Sequence, residues 1–401
     1  MNALERRAVS ALALLYSFRM LGLFMVLPLL AVYAIDLRGA TPALIGLALG
    51  IYGLSQALLQ IPLGWLSDRI GRRPVIVGGL LLFALGSLVA ATADSLAGLI
   101  VGRALQGTGA IAGTLMALVA DLTREEQRTK AMAIVGASIG LAFTLALVVG
   151  PLVAAWGGLS AVFYFTVGLA LLGMVIVLAV VPAAAAIPRG EEAGLRGNLV
   201  WRSLREPELL RLNAGVFVLH FLLTACFQVI PGLLESVLGM VRDSHWQVYL
   251  AVVLASLVGV VPLMGRAERG GRPRQSFALA VGMLLLALLL LANPLGHILL
   301  WLGLWLFFIG FNYLEATLPS AVSKAVFAGG RGTALGIYST CQFLGAFSGG
   351  ALGGLLLQAA GSVGLLALCM ALVLAWLVLA LPRLQGATAA ATGDLAHPSK
   401  G

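Results

Sequence analysis

The sequence predicts an all-α polytopic membrane protein with twelve transmembrane helices in two pseudo-symmetric six-helix bundles. Three observations predict it. The 401 residues are 61% hydrophobic and only 10% charged, whereas a soluble domain carries about a quarter charged residues. The remaining charge falls on alternate loops. A charged hairpin, Gly64-Trp-Leu-Ser-Asp-Arg-Ile-Gly-Arg-Arg-Pro74, recurs in degraded form half a chain later as Glu268-Arg-Gly-Gly-Arg-Pro-Arg274.

A helix needs roughly 20 apolar residues to cross the hydrocarbon layer, and twelve such stretches lie between the charge clusters. The first, residues 11–35, follows Arg6-Arg7. It is too long for the apolar region of a secretory signal and has no convincing cleavage site, so it is read as a span. Stretches 43–66 and 75–93 flank the hairpin; 97–119, 131–155 and 160–181 complete a first bundle over residues 1–181. Residues 182–210 turn abruptly to Pro, Gly and charge, a cytoplasmic linker with a short amphipathic helix around Leu199 to Leu210. A second bundle over 211–382 contains stretches 212–236, 246–264, 276–293, 298–319, 333–357 and 361–381. Runs such as Phe277 to Ala292 are apolar all round, which excludes the alternating strands of a barrel. The Ala/Gly/Thr-rich tail, 383–401, is expected to be disordered.

The net charge of +9 is explained by its distribution. Of the 25 Lys and Arg, 21 fall on the side that carries both termini, Arg38 and Arg242 on the other, and Arg19 and Arg103 within spans. This is the positive-inside bias. It places the chain in the inner (cytoplasmic) membrane with both termini cytoplasmic, makes the lipid bilayer its partner, and leaves no case for nucleic acid. Cys226, Cys341 and Cys369 stand alone within spans and read as inert buried thiols.

The internal repeat shows at further places. Arg128-Thr-Lys-Ala131-Met-Ala-Ile134 matches Arg331-Gly-Thr-Ala334-Leu-Gly-Ile337, and Gly150-Pro151 with Ala154-Ala155 matches Gly350-Ala351 with Gly353-Gly354. Two halves related by an axis along the membrane normal are expected to bind substrate between them and to rock.

These segments carry a resemblance. Gly64 to Pro74 resembles the signature loop of the major facilitator superfamily, Leu99-Ile-Val-Gly-Arg103-Ala-Leu-Gln106-Gly107-Thr-Gly109-Ala110 its fourth-helix motif, and Gly150-Pro151 its antiporter motif. More narrowly, Phe18-Arg19-Met20 through Pro28, Phe311 through Pro319 and Gly336 through Gly345 are similar to the YajR branch of proton-driven drug antiporters. Two features depart from that pattern: Ala154-Ala155 stands where the antiporter motif has Gly-Gly, and the chain is expected to lack the soluble C-terminal domain that branch can carry.

Glu315 is the one carboxylate inside a span, and an intramembrane acid is a functional hypothesis by default. In a bundle of the superfamily type the cavity is lined by helices one, four, seven and ten, which hold Arg19, Arg103, His220 and Glu315. A carboxylate whose water access and partner change between two conformations can bind and release a proton each cycle. Glu315 is thus expected to carry the proton, unless it is a structural acid paired with a neighbouring helix. His220 titrates in a useful range, although a lone His on an apolar helix is more often a packing residue. Arg103 organises its helix, with a part in proton transfer implied by the resemblance, and Arg19 tunes or pairs with a carboxylate.

In the hairpin, Arg72 can sit between Asp68 and Asp121, with the dipole of the eleventh helix attracting Asp68. Gly64, Asp68, Arg69, Gly71, Arg72, Arg73 and Asp121 form a candidate conformational latch, which the resemblance implies favours an outward-open state. The alternative is a solvated turn that only sets topology. Gly150 and Pro151 are the candidate half-to-half seal. Gln56, Gln60, Gln106, Gln228, Asn312 and Gln342 are candidate cavity polar groups.

No cofactor or metal is expected. The four His lie on separate segments, no P-loop is present, and the glycine pattern at Gly107 to Ala112 lies inside a membrane helix rather than after a strand. With neither a nucleophile–base pair nor a metal cluster, the chain does not read as an enzyme. The favoured reading is a monomeric proton-coupled antiporter exporting small lipophilic or drug-like compounds by alternating access. The alternatives are proton-coupled or passive uptake of a small polar metabolite, and a non-transporting membrane sensor.

Overall fold

A computed structural model describes residues 1–182, 200–293, 296–326 and 331–380. Most of the linker and the tail expected to be disordered lie outside the described residues. Thirteen helices carry the fold: α1 Ala3–Phe24, α2 Leu27–Tyr33, α3 Pro42–Ile70, α4 Arg72–Ala91, α5 Leu96–Thr108, α6 Ala112–Asp121, α7 Glu125–Val175, α8 Pro207–Cys226, α9 Ile230–Leu238, α10 His245–Glu268, α11 Pro273–Ala292, α12 His297–Ala325 and α13 Arg331–Ala380. A short helix at 200–205 precedes α8 and stops before Pro207, which bars its predecessor from helical backbone.

Helix starts follow local chemistry. Asn2 and Glu5 form a reciprocal capping box on α1, Thr41 caps α3 ahead of Pro42, and Ser95 caps α5. Among the described residues, nine helical stretches are long and apolar enough to cross a membrane. Two of them, Glu125–Val180 and Gly332–Leu379, double back at glycines, and the broken pair α5–α6 adds one more crossing, so the twelve expected spans are present. The doubling back is visible in the packing. Ser17 on α1 bonds Ser138 on one arm of α7, while Leu15 meets Gly173 on the other arm.

The structure departs from the sequence reading in helix continuity. Spans expected whole at 11–35, 97–119 and 212–236 are each broken, at Met25, at Gly109 and at Phe227. Pro28 and Pro231 lie at the starts of the helices after the first and last of these breaks and cannot donate to the preceding turn. Broken helices are tolerated at membrane depth only where other groups meet the freed backbone.

The two-fold repeat is written into the backbone. Positive-φ residues are all glycine among the described residues, and six of the seven pair half a chain apart: Gly39 with Gly239, Gly71 with Gly271, and Gly158 with Gly361. Gly71 (φ 99°) makes the turn between α3 and α4 that an L side chain would strain.

The halves, α1–α7 and α8–α13, meet along α3 and α13, which run antiparallel with their backbones in contact. A side chain carbon at Gly46 would lie 2.3 Å from the Gly350 carbonyl oxygen, one at Gly50 would lie 2.5 Å from that of Phe347, and one at Gly53 2.6 Å from that of Phe343. Only small residues permit such approach. These contacts lie toward the end opposite the Arg-rich hairpins, here termed the far end. Toward the basic end the packing loosens, and Gly64 and Gly336 both face open space. Aromatic rings also bridge the halves, with Phe143 on α7 at 5.9 Å from Phe311 and 6.5 Å from Phe308 on α12. Outward faces are apolar, including Trp156, Ile298 and Val258, the inversion that a lipid solvent allows.

Gly46→Val is therefore expected to prevent far-end closure. Overpacking of this kind costs about 2 kcal/mol, roughly a thirtyfold shift in the closed-to-open ratio. A cysteine at Ala43 in a cysteine-free background should react faster with an impermeant maleimide in this variant, and not in Gly140→Val, where the added carbons meet nothing.

Candidate functional site

The second half brings Glu315, His220 and Gln342 together from three helices, α12, α8 and α13. The buried His220 ring directs Nδ1 at the Val216 carbonyl, 3.2 Å away. A carbonyl can only accept, so Nδ1 carries the proton and Nε2 is left to accept from the Gln342 amide at 2.8 Å. The imidazole is thus assigned as neutral. The same amide nitrogen donates to Glu315 Oε1 at 3.4 Å, and Glu315 Oε2 lies 3.6 Å from His220 Nε2. Glu315 is half-buried, and its Oε2 has no hydrogen-bond partner. Tyr338, one helical turn before Gln342, also has a buried, unpartnered hydroxyl. The edge of Phe311 closes over the imidazole at 6.0 Å.

The first half holds the cations. Arg19, 2% exposed, donates through Nη2 to Tyr52 at 2.8 Å, to Gln56 at 2.6 Å and to the Gly109 carbonyl freed by the α5–α6 break at 3.1 Å. Arg103, 1% exposed, donates to the Ala48 carbonyl and to Gln106, and Gln106 passes the chain on to Ser87. Tyr52 stands between the two arginines, its ring 5.1 Å from the Arg103 guanidinium. Among the described residues neither arginine has a carboxylate partner, so in this conformation Arg19 does not pair with one.

The polar groups expected to line the cavity are mostly occupied. Gln56, Gln106 and Gln228 are buried, and Gln228 spends its amide on the Gly349 and Gly350 carbonyls. Gln60 crosses the interface to the Gly336 carbonyl and to Ser339, and Asn312 binds Ser256. Of the six, Gln342 alone is engaged with the Glu315–His220 pair. The departure has a plain cause: an amide in a membrane bundle costs less when internally bonded than when left facing a lipophilic space.

At the basic end, Arg72 is paired with both Asp68 and Asp121 and donates to Ser67 at 2.7 Å. The Arg69 guanidinium lies over the Trp65 ring at 3.6 Å, and Arg73 follows as the second residue of α4. A side-chain carbon at Gly150 would lie 2.9 Å from the Met25 carbonyl oxygen, so this close approach lies inside the first half at the α1–α2 break, with Pro151 buried beside it. The contact between halves falls instead on Gly46, Gly50 and Gly53, which sequence reasoning did not select. Their spacing of three and four residues along one helix face was the signal.

Comparison with known proteins decides the family. The Major Facilitator Superfamily profile matches residues 12–347. The chain belongs to this superfamily. It is 48% identical over 353 residues to the inner membrane transport protein YajR of Escherichia coli, covering 87% of this chain and 77% of that one. It is 29% identical to the multidrug resistance protein MdtH of Aeromonas hydrophila, covering 84% of each. A solved D-xylose–proton symporter superposes with a TM-score of 0.74 over 94% of this chain and 97% of that one at 16% identity, which establishes the shared fold. As a member of the superfamily the chain is a transport protein and not an enzyme.

Arg72→Ala is expected to lower stability by about 2 kcal/mol, since two partly buried ion pairs and a hydrogen bond are lost together. Arg72→Lys should recover part of this, because an ammonium keeps the charge but not the fork. Thermal unfolding in detergent would read both.

Proposed function

We propose that this superfamily member is a proton-coupled antiporter that exports small lipophilic compounds, acting as a monomer in the inner membrane with both termini in the cytoplasm. The Glu315–Gln342–His220 cluster carries the reading. It is the place where a half-buried intramembrane carboxylate meets a titratable ring through a single amide. A proton arriving at His220 Nε2 would displace Gln342 as donor, and the amide would have to rotate and present its oxygen. The new N–H would then face Glu315 Oε2. Glu315 itself takes a proton at its unpartnered Oε2 when the halves open toward the acidic side and releases it when they open to the cytoplasm.

In this arrangement the far end is shut, because α3 and α13 touch there and the Phe143–Phe311 contact lies between the halves. The basic end is the looser one. The conformation fits inward opening; the Arg72 pairs with Asp68 and Asp121 are already formed in it, within the first half, and would become part of a cytoplasmic latch when the second half docks there in the opposite state. Closing one end while opening the other is how the two halves alternate access.

Relatives named as multidrug resistance proteins favour lipophilic cargo. The burial of Gln56, Gln60, Gln106 and Gln228 and the internal bond of Asn312 weigh against uptake of a polar metabolite, which needs accessible hydrogen-bonding groups facing the cavity.

In proteoliposomes with an acidic interior, lipophilic cations and neutral drugs added outside should trigger loss of lumenal protons with the wild type. Glu315→Gln should abolish that signal, and Gln342→Leu should reduce it by about tenfold, the loss of one hydrogen bond to a charged group. A compound that crosses with no proton movement in either protein would point to a facilitator instead.

A further inference from the structure

Beyond the transport site, a second charged cluster spans the two halves at the far end, where no described motif lies. It is built from the end of α2 and the turn after it, and from α9 and the loop between α9 and α10. Arg242 Nη1 pairs with Asp36 of the first half at 3.2 Å, while Arg242 Nε lies 3.7 Å from Glu235 of its own half. The guanidinium also stands 5.6 Å over the ring of Tyr33, and the Tyr33 hydroxyl donates to Asp243 at 2.9 Å. Asp36 and Tyr33 belong to the first half, Glu235, Arg242 and Asp243 to the second, so two polar rungs join the halves. Glu235, Arg242 and Asp243 border an open hollow of about 490 Å³.

One cation faces two carboxylates of different allegiance. The distances show how they divide the work. The shorter pair crosses the interface and exists only while the far end is shut. The longer one lies within the second half, between the end of α9 and the loop that follows it, and moves with Arg242 as a body. When the far end opens, Arg242 loses Asp36 and Tyr33 together. Glu235 remains beside it and can close the 3.7 Å gap, so the guanidinium never stands without a counter-charge.

We propose that Arg242 is the pin of a far-end latch that exchanges partners, held by Asp36 in the closed state and by Glu235 in the open one. Asp36 stabilises closure. Glu235 stabilises opening, because it competes for the same guanidinium. The two acids therefore act in opposite directions although both touch one residue, and neither lies in the proton-carrying cluster. All three side chains are more than a third exposed, so each pair shifts the equilibrium modestly. Such exposed pairs move a population ratio by roughly two- to fivefold. A small bias is what a cycling transporter needs, since a stronger latch would trap one state.

The inference rests on the rocking part of the proposed function and not on protons or cargo. Its test is accordingly a distance. Spin labels at positions 35 and 241, where Ile35 and Val241 are both exposed, would be placed on opposite halves of a cysteine-free protein in lipid nanodiscs. Double electron–electron resonance would read the short and long populations without substrate. Asp36→Asn is expected to raise the long-distance population by roughly two- to fivefold and Glu235→Gln to lower it by a similar factor. Arg242→Gln should remove the effect of both substitutions when combined with either. The charge-exchanged pair Asp36→Arg with Arg242→Asp should return the population toward that of the wild type. The proposal is overturned if Asp36→Asn and Glu235→Gln shift the population in the same direction, if neither moves it, or if their effects persist with Arg242→Gln. A failure here leaves the lumenal proton signal intact, and a failure of proton coupling leaves these distances unchanged, so the two readings fail separately.

Discussion

A hydrocarbon layer supplies no hydrogen-bond partner, and the rest of this structure depends on that constraint. It requires helices, and it permits a break in a helix only where another group meets the freed backbone. The α5–α6 break shows how this works. Its Gly109 carbonyl is met by Arg19 from α1, and the same guanidinium ties Tyr52 and Gln56 of α3 into the junction. One buried side chain thus serves the backbone of one helix and fixes the packing of two others.

The charge distribution inside the bundle follows from the same economy of partners. The hydrogen bonds that Arg19 and Arg103 make go to carbonyls, amides and a tyrosine, while Arg19 Nε and Nη1 are buried without a partner, and none of these acceptors can take up a proton to neutralise the site. Titratable chemistry is left to the second half, where Glu315 and His220 share a single amide. In the proposed mechanism the halves differ in role despite the repeat in their sequence: one is a fixed positive scaffold, the other holds the groups whose protonation changes. An interface between two such bodies separates charge and is sensitive to which end admits water.

The interface itself is built from two kinds of contact. Along α3 and α13 it is backbone against backbone, with Gly46 and Gly50 against Phe347, Gly350 and Gly354. Such contact is specific in shape but weak in directional bonding, so it can be made and broken without leaving strong hydrogen bonds unpaired. Around it stand polar contacts, Gln60 with Ser339 toward one end and Asp36 with Arg242 at the other. A rocking motion needs both: smooth surfaces to slide or part, and a few charges to set which state is preferred.

Much of this was legible in the chain. Apolar runs, the bias of Lys and Arg, and the repeated hairpin determined an all-α fold of twelve spans in two halves, because hydrophobic length and charge sidedness act locally and need no knowledge of neighbours. The place of Glu315 within a span was equally plain. What the tertiary structure alone decided is which polar groups find one another. Gln56 and Gln228 read as cavity residues in sequence, yet Gln56 accepts from Arg19 and Gln228 donates to the Gly349 and Gly350 carbonyls, each on a helix distant in the chain. The breaks at Met25, Gly109 and Phe227 were hidden because the apolar run continues through them, and hydropathy records only solvent preference. The contact between halves passed from Gly150 to Gly46 and Gly50 for a related reason: small residues say that something may approach closely, and only the packing of the bundle says what does.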